Sequence, residues 1–136
     1  MAKAAVVIFA ELDLHQNMAR VVNALEVARE FKEAGDDVQI IFDGGGTVAA
    51  AAVADPANQM HGLYAAVEDK VAGVCRYCAR AFGVYDKAEE LGLPMLAEYR
   101  QHPSLRSRVA DGYSVLIFSG SRSSTSARSR TSSLYS

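Results

Sequence analysis

The chain has no tryptophan and holds only two cysteines, three prolines and three histidines in 136 residues. Aromatic residues make up 8%, too few for the stacked platform on which proteins hold single-stranded nucleic acid. The formal net charge is −2 at pH 7, which argues against general binding of polyanions. No apolar run reaches the roughly 20 residues of a bilayer-spanning helix, and the first residues pass into an apolar strand without the pattern of a secretory leader. These absences lead us to expect a cytoplasmic protein with no membrane and no direct nucleic-acid partner. In that compartment two cysteines serve chemistry or metal more than a structural disulfide.

What is present suffices for one core. Half of the residues are hydrophobic, and a chain of this length is by default a single domain. The stretch 119–136 stands apart. It reads SGSRSSTSARSRTSSLYS, carries Arg122, Arg128 and Arg130, and has no acid. It has too little apolar surface to order itself. One reading is an Arg/Ser arm for RNA or phosphorylation; the plainer one is a vector-derived extension. The domain is therefore placed at 1–118, and it is more acidic than the whole chain.

Along that domain, apolar strands alternate with helices. Lys3 to Ala10 (KAAVVIFA) is the continuous apolar run of a strand buried on both faces of a parallel sheet. Asn17 is a helix cap by residue type, followed by Met18, Val22, Leu25, Ala28 and Phe31 at helical spacing, with Gly35 as the stop. Asp37 to Phe42 is a second strand, followed by an alanine-rich segment to Ala54. Asp55-Pro56 predicts a helix running to Lys70. Val71 to Cys75 is a third strand, with helices expected up to about Gly83, from Asp86 to Leu91, and from Pro103-Ser104 to Ala110. Pro94 to Tyr99 is a short strand or a loop, and Tyr113 to Phe118 the last strand. The expected fold class is α/β: three-layer, flavodoxin-like, a mostly parallel sheet of four to five strands with helices on both faces.

Cys75 and Cys78 sit where the third strand turns into a helix. Helix N-termini favour thiolate, as would the positive charge of Arg76. Three chemistries compete there: a persulfide carrier, a CxxC dithiol redox pair, and half of a zinc site. Zinc is weakest, because it needs two more ligands and His15, His61 and His102 are scattered, so no metal is assigned. The plain structural reading is two small buried residues. Asp43-Gly44-Gly45-Gly46-Thr47 follows a strand and precedes a helix, so its amides could cradle an anion; alternatively the glycines only permit a tight turn. His15, after the first strand, could tune a thiolate at the same sheet end. Glu11 and Asp13 beside it would raise a nearby thiol's pKa. His61 reads as a helix-face residue and His102 as a helix start.

The runs KAAVVIFA, FDGGGT, VCRYCARAFGV and GYSVLIF together resemble the DsrE/DsrF-like sulfur-relay superfamily over residues 3–118. The resemblance implies a small flavodoxin-like domain that assembles into trimers or hexamers. It implies a sulfurtransferase-like persulfide carrier with sulfur donor and acceptor proteins as partners, and no cofactor. The sulfur-bearing residue would be Cys75, with Cys78 as a resolving or modulating thiol. The other readings that stay open are a non-catalytic small-anion-binding or scaffold subunit and a dithiol redox protein.

Overall fold

The computed structural model describes residues 1–120. The expectation for the Ser/Arg-rich tail falls almost wholly on residues 121–136, outside the described residues. Five strands, β1 (Lys3–Ile8), β2 (Asp37–Phe42), β3 (Val71–Cys75), β4 (Met95–Leu96) and β5 (Ser114–Phe118), form one sheet in the order β4-β3-β2-β1-β5. Every pairing is parallel. Six helices connect them: α1 (His15–Glu33), α2 (Gly46–Val53), α3 (His61–Ala65), α4 (Arg76–Ala81), α5 (Tyr85–Glu90) and α6 (Leu105–Ala110). This is the three-layer, flavodoxin-like α/β class. No described helix is long and apolar enough to cross a membrane.

The layers follow from strand alternation. Ala4, Val6, Ile8, Val38, Ile40 and Phe42 share one face and pack with Val21, Ala24, Leu25 and Ala28 of α1, Ala49, Ala50 and Val53 of α2, Ala79 of α4 and Ala88 of α5. The alanines let helices lie close on the sheet. Gln39 points to the other face, where it accepts a hydrogen bond from Nε of Arg108 in α6. A right-handed crossover in each step β1→β2→β3→β4 puts those helices on one side. The long return from β4 to β5 carries α6 across to the other.

Two local expectations are corrected. Asn17 is not the cap of α1. It lies in the first turn, 2% exposed, and its Nδ2 donates to Asp13 Oδ1 at 2.8 Å. The helix expected from Asp55 to Lys70 reduces to α3 and a 3-10 turn at Glu68–Lys70. Asp55 Oδ1 captures the Ala57 amide at 2.9 Å and Asn58 Oδ1 the Met60 amide at 2.8 Å. Side chains that bond nearby amides in this way compete with helix formation. Gly35 does close α1, at φ +79°, with the Asp36 amide reaching back to the Phe31 carbonyl at 3.0 Å.

Candidate functional site

Register brings the site together. Phe42 of β2 lies beside Val74 of β3, so the next residues, Asp43 and Cys75, leave the sheet side by side. On the other flank Cys75 pairs with Leu96 of β4, and the chain that continues from β4 carries His102. The carboxyl ends of three adjacent strands therefore converge on Cys75. The ligand atoms of Asp43, Cys75, Cys78 and His102 all lie within 4.8 Å of one another.

Cys75 is 0% exposed and is the N-cap of α4, its Sγ accepting the Cys78 amide at 3.4 Å. His102 Nδ1 lies 3.2 Å from the same sulfur, and the Gln101 carbonyl is 3.8 Å away. Both cysteines are free thiols. Burial pushes the Cys75 thiol up to about 12; the Cys78 amide pulls it down, and the Asp43 carboxylate raises it further. Desolvation thus outweighs the amide at the helix start and favours the neutral thiol.

His102 is the residue that sequence reasoning missed. It closes a two-residue turn in which Tyr99 and His102 exchange backbone hydrogen bonds at 2.9 and 2.8 Å. The central residues, Arg100 and Gln101, have φ of 48° and 69°. Such turns normally carry Asn or Gly, and non-glycine residues there cost about 1–2 kcal/mol each. Several contacts hold the turn in place. The Tyr77 amide donates to the Gln101 carbonyl at 3.0 Å, and the Tyr77 and His102 rings lie 4.8 Å apart. Behind it, Arg108 is only 7% exposed and pairs with Glu98, while Glu98 Oε1 also accepts the Ser104 amide at 2.9 Å. Burial alone would raise the Glu98 carboxyl, but the bonds from Arg108 and Ser104 hold it below the usual carboxylate range.

The glycine turn plays a packing role. A Cβ on Gly46 would fall 1.8 Å from the Ile8 carbonyl oxygen, so α2 starts against the backbone of β1. The Gly44 amide bonds Asp43 Oδ1, and the Gly46 and Thr47 amides bond the Asp43 and Gly44 carbonyls. Thr47 Oγ1 donates to the Gly44 carbonyl at 2.8 Å, and Thr47 is fully buried. Those groups are therefore spent within the turn. Gly45 is overlain by Glu11. Of this segment Asp43 joins the cysteines. His15 is the exposed first residue of α1 and is not in the cluster; His61 Nδ1 lies 2.9 Å from the Val53 carbonyl. Arg76 is half-buried, with an Nε that has no hydrogen-bond partner among the described residues. The carboxylate acting on Cys75 is Asp43 rather than Glu11 or Asp13.

A depression of about 370 Å³ lined by Tyr77, Arg80, Ala81 and Gln101 borders the cluster. A larger one, about 760 Å³, lies on the outer face of α1 among Asn23, Glu26, Arg29 and Glu33. It holds no thiol or imidazole and sits where α1 runs toward the start of β2, at the opposite sheet end. The chemistry thus gathers at the carboxyl ends of strands, two strands away from the β1/β5 crevice where strand order reverses. No protein-family model matches the chain, and no curated protein or solved structure matches it.

Proposed function

We propose that Cys75 accepts sulfane sulfur as a persulfide and passes it to a partner protein, the activity implied by the resemblance to the DsrE/DsrF-like sulfur-relay superfamily. The observation that carries the reading is His102 Nδ1 at 3.2 Å from Cys75 Sγ, a base within reach of a buried thiol at the end of a central strand. As Sγ attacks the outer sulfur of a donor persulfide, the Cys75 S–H bond breaks and its proton goes to His102. A new S–S bond forms on Sγ. The donor's S–S bond breaks, and its electron pair leaves on the donor thiolate, which takes a proton. No external oxidant is needed. In the return step an acceptor thiolate attacks the outer sulfur and Cys75 leaves as thiolate, reprotonated by His102.

The Gln101 carbonyl and the His102 ring cover the sulfur, so donor and acceptor approach it from the depression among Tyr77, Arg80 and Gln101 with the His102 turn in place. Partners are therefore proteins that engage this edge of the sheet, and assembly into a trimer or hexamer belongs to the same reading. Cys78, one turn along, is the thiol placed to attack the Cys75 persulfide, releasing sulfide and leaving a Cys75–Cys78 disulfide. Intact-mass spectrometry of chelator-treated protein after exposure to a persulfide donor tests this. A gain of one sulfur is expected in wild type and in Cys78→Ser, a slower gain in His102→Gln, and none in Cys75→Ser. No gain in wild type, or an equal gain in Cys75→Ser, ends the proposal.

A further inference from the structure

We infer that Asp43, Cys75, Cys78 and His102 form a binding site for a divalent, borderline-soft metal ion, zinc foremost. The cluster supplies two sulfurs, one imidazole nitrogen and one carboxylate oxygen, with all four donor atoms within 4.8 Å of one another. Around a tetrahedral zinc, with bonds of about 2.0 to 2.3 Å, donor atoms stand about 3.3 to 3.8 Å apart. The set therefore needs only small side-chain rotations to close on one ion. The donor types fit as well: thiolate and imidazole select zinc over the hard cations that prefer all-oxygen shells. A CxxC pair alone gives half a site, and the other half arrives from different strands, Asp43 from the end of β2 and His102 from beyond β4.

His102 has little freedom to leave. Its turn is closed by the paired Tyr99–His102 hydrogen bonds and tied to α4 by the Tyr77 amide. The Glu98–Arg108 pair anchors the segment that leads into it. Asp43 Oδ1 is engaged by the Gly44 amide at 2.8 Å, which orients the carboxylate. These supports are what a metal site requires around its ligands.

The site stands on its own donor geometry. Its consequence for the proposed function is regulatory and rests on that reading: an ion bound here occupies the Cys75 sulfur and blocks sulfur loading until it is removed. The test uses the full chain, stripped with chelator and titrated with zinc against a chromophoric competitor, then with cobalt. One equivalent should bind. Bound cobalt should show thiolate-to-metal charge transfer and tetrahedral ligand-field bands. Cys75→Ser and Cys78→Ser should each weaken binding by at least about 100-fold, the upper end of what losing even an outer-shell partner costs. His102→Gln and the isosteric Asp43→Asn should each weaken it by at least about 10-fold. Circular dichroism verifies the fold of each variant, and the His102 and Asp43 variants carry the test if a cysteine variant does not fold. No stoichiometric binding by wild type, or wild-type affinity in the folded variants, overturns the site. Zinc binding without sulfur loading in the stripped protein leaves the site standing and removes the sulfur-relay reading; loading without zinc binding does the reverse.

Discussion

Alkylation of the two thiols, one at a time, weighs burial against base assistance at the site. Cys78→Ser leaves Cys75 as the only thiol, and Cys75→Ser leaves Cys78. Burial moves the Cys75 thiol from an ordinary 9.0 to about 12, so near pH 7 it holds about 1,000-fold less thiolate than an ordinary thiol. A more basic thiolate is a better nucleophile. With a Brønsted slope of about 0.4–0.5, three units return roughly 15- to 30-fold. Cys75 should therefore react with iodoacetamide about 30- to 60-fold more slowly than an ordinary cysteine, before any steric penalty from the covering Gln101 and His102. The assay is a pseudo-first-order rate from mass spectrometry, in chelator, between pH 7 and 10. The Cys75 rate should climb about tenfold per pH unit throughout, with no plateau. Equal rates for the two thiols, or a plateau for Cys75 below pH 9, would refute the argument. It would show that the imidazole at 3.2 Å holds a thiolate–imidazolium pair at rest, and that the attraction between the pair exceeds the cost of burying it.

Two further outcomes follow from packing and titration. Gly46→Ala sets a methyl 1.8 Å from the Ile8 carbonyl oxygen of a central strand, which cannot yield as a side chain tip would; the loss should reach or pass about 3 kcal/mol in urea unfolding, the upper part of the range for overpacking, and a loss under 1 kcal/mol would contradict the close approach. Burial raises Cys75 to about 12 and likewise Tyr64, from an ordinary 10.0 to about 12. The fold favours both protonated forms, so their stabilisation is complete below pH 9 and declines as pH rises through 9 toward 12. Unfolding free energies measured from pH 7 to 11 should fall along the alkaline limb, less steeply in Cys75→Ala; identical limbs for the two proteins would contradict it.

Much of the fold can be read from the residues because burial on both faces writes itself as unbroken apolar runs: Ala4 to Ile8, Ile40 to Phe42, Val74 to Cys75. The position of Cys75 at a strand end follows from the same runs. Asp43 was within reach as the first residue after β2. His102 was not, for a physical reason. Its turn places Arg100 and Gln101 at positive φ, where Asn-Gly would have announced a hairpin, and Pro103 beside it resembles a helix start. The strain is held by the Tyr77 bond to the turn and by the Glu98–Arg108 pair beside it, which local sequence does not encode. The helix expected from Asp55 failed in the opposite sense: a capping pattern was present, but the Oδ1 atoms of Asp55 and Asn58 accept from nearby amides and break the helix into turns.

The two-residue strand β4 is the last structural link between the thiol and its imidazole. It pairs with the sheet through Val74↔Met95 and Cys75↔Leu96, and it starts the segment that carries His102. Without that short edge docked, Cys75 has neither its cover nor its base, although it remains part of β3 beside β2. Quenched thiol labelling during refolding would therefore time one event, the docking of the β4 edge. The sulfur atom serves as a built-in reporter of whether that edge is docked.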